Sequence, residues 1–345
     1  MTNPNIFVNE AFRRAQSGDR EAISLFLEKV RPHLLLICYR LIGNPDDAED
    51  ATQEALIRVM EGLAETGSSW RPLLFGSALC AGAELAAELL ERRPAARRVH
   101  QVNGDSTIYC EDLEPIMTGH LPLDELEAVE AWSGQLKRLR TSLSFAYVNL
   151  LLALPLQARA AHVGKALLGV SDATVANALG LSESAILEHY RNAAEFVQAN
   201  DLELENNRVT SQVSVVQRVM RRLADCLTKR NLEKIATILD EEVVLILQQV
   251  GHFSGMEEVV NQLARSFEVG LGPDEVRHAE INGQPALVCY QRRLERKQQT
   301  YNASMILMVS LTGADLNTCR IVRLDGLTEA RKLYRIGESL QPQLS

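Results

Sequence analysis

The chain changes character after about residue 210, and that change most limits what it can fold into. Before it, apolar residues recur at helical spacing. After two further helical stretches, short aliphatic runs read as strands. A length of 345 residues fits two or three domains. The expectation is a multi-domain protein: an all-α N-terminal half followed by an α+β domain.

Phe12, Ala15, Ala22, Ile23, Phe26, Leu27 and Val30 lie near helical spacing, with Gly18-Asp19 splitting them into two helices. Gly43-Asn44-Pro45 is a turn, after which Asp46 or Asp47 is expected to cap a helix. That helix puts Ala51, Ala55, Leu56, Val59, Met60 and Leu63 inside, and a further helix runs from about Pro72 to Arg93. Between Gln101 and Glu130 stand eight acids and no Lys or Arg, which marks a linker. In Val170–Ala194, Ser171 and Ser182 can cap two helices joined at Gly180, the pattern of a helix-turn-helix.

Beyond it, Val213–Val244 reads as two helices split near Arg230-Asn231. Strands follow at Val243–Gln249, Val276–Ile281, Ala286–Gln291, Ser304–Leu311 and Thr318–Arg323, with a helix at Met256–Val269 and an antiparallel sheet expected. The divisions are 5–98 helical, 99–135 acidic linker, 136–198 helix-turn-helix, 199–210 polar linker and 211–337 α+β.

The longest apolar stretches, around His33–Ile42 and Leu143–Leu156, are broken by Arg40, Ser144 and Asn149, so no membrane span is expected. The N-terminus lacks an apolar signal core, and no secretion is expected. The six cysteines form no CxxC pair and no metal-ligand spacing, which reads as free thiols in a reducing cytoplasm, with no metal or cofactor. A net charge of −9 argues against a non-specific nucleic-acid coat.

Asp46-Asp47-Ala48-Glu49-Asp50-Ala51-Thr52-Gln53-Glu54-Ala55 resembles the polymerase-binding helix of extracytoplasmic-function (ECF) sigma factors, and Pro32–Gly43 fits the helix before it. Pro155–Ala194 resembles their second DNA-binding domain at Leu154-Pro155, Ala176, Leu179-Gly180-Leu181-Ser182 and Ala185-Ile186. Ile281-Asn282-Gly283-Gln284-Pro285-Ala286-Leu287-Val288 looks like a strand-turn-strand of sigma factors fused to a SnoaL-like cone domain. Asp112-Leu113-Glu114-Pro115 partly matches a linker motif, and Leu327–Leu333 a terminal motif, of that subgroup.

The resemblance implies no enzyme, but a transcription initiation factor whose partners are core RNA polymerase and promoter DNA. Asp47, Asp50, Gln53, Glu54 and Arg58 would meet the polymerase, with Glu61 continuing the outer face. Trp70, Arg71, Phe75, Arg92 and Arg93 would capture melted DNA, and Ser184, Leu187, Glu188 and Arg191 would read the duplex, Glu183 beside them. The DNA-reading blocks depart from the family pattern. Leu73, Gly76 and Cys80 stand where a Trp, an Arg and an Asn are expected, and Leu187 and Glu188 where cationic or small polar residues are usual. From Ser171 to Asn200 one base faces four acids, which opposes phosphate contact and implies weak promoter affinity for the free protein.

The cone domain would regulate the sigma domains through Asn282, Gly283, Gln284 and Pro285 and the tail Asp325–Leu333, with a small apolar ligand as a further partner. Two alternatives stay open. One is a sigma-derived regulator that binds polymerase or another partner without promoter recognition. The other is a SnoaL-type enzyme using Asp240, His252, His278 or Tyr301, its helical half a partner-binding module. A plain helix-turn-helix regulator fits the charge count worst.

Overall fold

The computed structural model describes residues 4–64, 70–92, 110, 113–118, 142–200, 213–247, 250–295, 298–313, 315, 317–329, 332–333 and 336. The acidic stretch other than 110 and 113–118, the linker 201–210 and Arg93 lie outside the described residues.

The N-terminal half is helical. Helix α1 (Pro4–Gln16) and α2 (Arg20–Ile42) part at Gly18-Asp19, where the Asp19 carboxylate accepts the Glu21 and Ala22 amides. Helix α2 runs on through Pro32. Gly43 ends it at φ +80, a backbone that favours glycine, and a Cβ there would lie 2.4 Å from Leu152 Cδ1. Helix α3 (Pro45–Gly62) is capped by Asn44, not by Asp46 or Asp47: Asn44 Oδ1 accepts both of their amides, and Pro45 supplies the first helical turn. Helix α4 (Arg71–Arg92) packs on α2 and α3.

Helix α5 (Phe145–Ala153) and α6 (Leu156–His162), with a π turn at Val163–Leu167, lead into α7 (Asp172–Leu179) and α8 (Glu183–Ala199). Ser171 and Ser182 cap the last two, and Gly180 turns between them at φ +63. Helix α7 and α6 lie on α4, so both helical parts share one core containing Leu74, Phe75, Leu79, Val163, Leu167 and Val175.

Helix α4 is long and apolar enough, by length and composition, to cross a membrane, a property absent from the expectation above. Half of its apolar window is buried inside the protein, against α2, α3, α6 and α7.

Helices α9 (Val213–Thr228) and α10 (Leu232–Ala236) precede β1 (Leu239–Leu247), so the second helix stops short of Val244. Strand β2 (Gly251–Ser254), unforeseen because it is short, and α11 (Met256–Glu268) follow. Then come β3 (Glu275–Ile281), β4 (Gln284–Glu295), β5 (Gln298–Thr312) and β6 (Arg320–Leu327). The sheet order is β2-β1-β6-β5-β4-β3, antiparallel except that β1 runs parallel to β6.

Both sheet faces are covered. Leu287 and Cys289 of β4 and Met305, Leu307 and Val309 of β5 face the domain's own helices. The alternating residues Ala286, Val288, Tyr290, Ile306 and Met308 join the core of the helical half. Leu333 and Ile336 of the tail join that core as well.

Arg159 binds the helical parts together. Fully buried on α6, its guanidinium donates to Leu41 O at the end of α2, and to Leu152 O and Leu154 O at the end of α5, at 2.9 and 3.1 Å. A cation suits these two negative helix ends. Arg159→Met leaves three buried carbonyls short of a donor, and urea denaturation should show a loss of about 3 kcal/mol.

Candidate functional site

The outer face of α3 is open. Asp46, Asp50, Gln53, Glu54 and Glu61 are exposed, and Asp47 is half-buried. Ile57 and Met60, 48% and 49% exposed, sit among them, so Met60 is not a core residue. The sequence reading missed Ile57. Its signal was spacing: 50, 53, 54, 57, 60 and 61 repeat at one helical face. Acids around an apolar pair suit a protein partner better than a solvated face does. Arg58 is bound elsewhere. It donates to Glu54 at 3.0 Å and to Glu84 of α4 at 2.5 Å, which raises its pKa and joins α3 to α4.

The DNA-capture residues sit differently from the expectation. Trp70 is 4% exposed, its indole N–H donates to Asn9 Oδ1 at 2.8 Å, and its ring meets Phe26 edge-on. Phe75 is buried in the core. Neither ring is presented for stacking, because α4 uses them to pack against its neighbours. Arg71 lies over the Trp70 ring, and Arg92 is exposed and ion-paired with Glu88.

Ser184, Leu187, Glu188 and Arg191 share the exposed face of α8 with Glu183. The inner face carries Ile186, Tyr190 and Ala193. Tyr190 stacks on His162 of α6, centroids 6.3 Å apart, and His162 Nε2 is 2.8 Å from Tyr147 Oη. Burial pushes the His162 pKa down to about 4.

The β3–β4 turn enters the helical half. Asn282, at φ +54, and Gly283, at φ +65, form a tight hairpin turn. The Asn282 side chain is completely buried. Its Nδ2 donates to Tyr39 Oη of α2 at 2.8 Å and to Leu143 O at 2.9 Å. Its Oδ1 accepts the Ile116 amide at 3.0 Å, and its own amide donates to Ile116 O. Tyr39 Oη donates on to Glu114 O, and burial raises the Tyr39 pKa. The Gly283 amide donates to Thr118 Oγ1, while Met117 bridges Ile281. Gln284 accepts the Phe145 amide at the start of α5 and donates to Ser310 Oγ. Half-buried Pro285 pairs with Glu280 in the hairpin. Asp325, which lies in β6, forms a buried bidentate pair with Arg323 of the same strand.

A cavity of about 270 Å3 lies between α11 and the sheet, lined among others by Leu247, Val269, Leu271, Met305 and Arg265. None of Asp240, His252, His278 or Tyr301 lines it. His252 bonds Ser254, and Tyr301 bonds Arg292. The structure does not gather these four into one site.

The family described as sigma-70 region 2 matches residues 26–71, a match that ends before nearly all of α4. Among solved structures, the chain resembles the Mycobacterium tuberculosis extracytoplasmic function sigma factor SigJ, with 22% identity and a TM-score of 0.56. The alignment covers 90% of this chain and 98% of that one. CnrH in complex with the cytosolic domain of CnrY aligns over 55% of this chain and 94% of its own, at 19% identity and a TM-score of 0.33. A protein titled Rd1NTF2_04 with long sheet aligns over 32% of this chain and 97% of its own, at 13% identity and a TM-score of 0.23. No curated protein sequence matches. The helical half therefore contains a sigma region 2 fold, followed by a mixed sheet with helices.

Two measurements check this geometry. Asn282→Asp faces Tyr39 Oη and Leu143 O with a carboxylate, so relative to the unaltered chain it should lose more stability at pH 8 than at pH 5. His162 is neutral when folded and protonates more readily unfolded, so its stabilisation is present above the unfolded pKa and lost as pH falls. Urea denaturation should show about 2 kcal/mol lost to this group between pH 7 and pH 5, absent in His162→Phe.

Proposed function

We propose that this chain is a sigma-factor-like protein of transcription initiation, which binds core RNA polymerase through the outer face of α3. The observation that carries this reading is the match to sigma-70 region 2 over residues 26–71, because it spans the one helix whose exposed face joins Asp50, Gln53 and Glu54 to Ile57 and Met60. Asp47 stands at the margin of that face, and Arg58 holds it against α4. The protein works in the cytoplasm and outside the membrane, and it has no catalytic role.

The C-terminal domain, SnoaL-like in this reading, regulates the helical half through the turn Asn282-Gly283-Gln284-Pro285, whose hydrogen bonds reach α2, residues 116–118 and the start of α5. Its cavity takes a small apolar ligand, in keeping with the aliphatic lining. Promoter DNA is read by Ser184, Leu187, Glu188 and Arg191 only after polymerase has supplied most of the affinity, since the acids of α8 repel phosphate. Arg71, Arg92 and Arg93 are the remaining cations for the melted strand.

The buried Trp70 and Phe75 favour a second reading, a sigma-derived regulator that holds polymerase without opening promoters. Binding of the purified full chain to core RNA polymerase tests the first claim of both. Asp50→Lys/Glu54→Lys should weaken it about a hundredfold or more, the scale of losing central charged contacts at an interface. Equal binding by this variant excludes α3 as the contact. Promoter-dependent run-off transcription then separates the readings: transcripts support the first, and their absence despite tight binding supports the second.

A further inference from the structure

The acidic recognition helix α8 leaves open which part of the chain can meet phosphate. The C-terminal part is the more basic: residues 213–337 hold 17 Lys and Arg against 15 Asp and Glu, in a chain whose net charge is −9. Helix α9 concentrates these cations. Arg218, Arg221 and Arg222 stand one turn apart, followed by Lys229 and Arg230, and all five are exposed. Asp225 is the only acid of the helix. The opposite face, with Val215, Val219, Leu223 and Leu227, is buried in the domain core.

Among the described residues no carboxylate pairs with Arg218 or Arg221, whereas Arg222 donates to Thr237 Oγ1 at 2.8 Å. His278 of β3, on which α9 packs, lies near enough for Arg221 to add to the lowering of its pKa by burial. Val213 at the start of the helix is exposed; from Gln217 to Lys229 the exposed side chains are Gln, Arg, Thr, Asp and Lys, with no apolar one among them.

That composition decides the partner class. A protein interface centres on apolar contact, as on α3 with Ile57 and Met60, whereas a phosphate backbone is met by arginines on a polar surface. Arginines at i, i+3 and i+4 are about 5–6 Å apart, close enough to contact neighbouring phosphates of one strand.

We propose that the exposed face of α9 binds the phosphate backbone of duplex DNA, Arg218 and Arg221 being its central contacts. The contact is independent of base sequence and does not require polymerase. It supplies from the C-terminal domain the positive charge that α8 lacks. It also stands apart from the polymerase-binding reading, because it is measured on the free chain.

Fluorescence anisotropy of the full chain with a labelled duplex of random sequence, across a salt series, tests it. The affinity should fall with salt, and Arg218→Gln/Arg221→Gln should reduce the log–log slope by about 2 and weaken binding about fiftyfold at 0.1 M salt. Arg218→Lys/Arg221→Lys should keep the slope, and Arg13→Gln, at an exposed arginine of α1, should leave binding unchanged. These side chains are exposed, so the melting temperature should hold and serve as the folding control. Three results overturn the proposal: no binding by the intact chain at low salt, an unchanged slope in Arg218→Gln/Arg221→Gln, or an equal loss of binding in Arg13→Gln. Stronger competition by polyglutamate than by unlabelled duplex at equal charge also overturns it, in favour of an acidic protein partner.

Discussion

Asn282 holds a left-handed backbone at the tip of the β3–β4 hairpin and buries its whole side chain among groups from three distant segments. Both its amide nitrogen and its amide oxygen are bonded: to Tyr39 and Leu143 on one side and to Ile116 on the other. Such a network is stable only when every member is satisfied, and an unmatched buried group costs about 1–3 kcal/mol. The turn, α2, residues 113–118 and the entry to α5 therefore hold one another in place. Asparagine serves here because it accepts positive φ and offers a donor and an acceptor together.

The sheet then completes what the turn begins. Its apolar residues alternate between two cores, so Ala286, Val288, Ile306 and Met308 need the helical half as a cover. With α7 and α6 on α4, and Arg159 across the ends of α2 and α5, the helices close around α4. Among the described residues, the acid-and-apolar face of α3, the outer face of α8 and the arginine face of α9 stay exposed. A partner can dock on these without unfolding anything, whereas capture of a DNA strand by Trp70 or Phe75 requires α4 to be uncovered.

Local signals were legible in sequence: the break at Gly18-Asp19, the caps Ser171 and Ser182, the turn at Gly180 and the hairpin at Asn282-Gly283 all come from backbone chemistry within a few residues. The runs Ala286–Gln291 and Ser304–Leu311 were legible as strands, and their nearly unbroken apolarity is the mark of a sheet buried on both faces. The apolar pattern alone does not say what covers the second face, because Tyr39 and Asn282 are brought together across more than two hundred residues; only the resemblance pointed this turn at the helical half. Met60 was misplaced by a small angular error around α3. The resemblance makes Trp70 and Phe75 candidates for stacking on DNA, whereas packing at the start of α4 buries both. The match to sigma-70 region 2 stops at Arg71, where that resemblance weakens as well.

In the proposed function, the hairpin turn of the C-terminal domain keeps the helical half closed. The direct measurement is the distance distribution between spin labels on exposed Gln53 of α3 and Glu188 of α8. One narrow distribution is expected in the free chain, broadening when Asn282 is replaced by Asp. A distribution already broad in the free chain, or one that the substitution leaves unchanged, would contradict it.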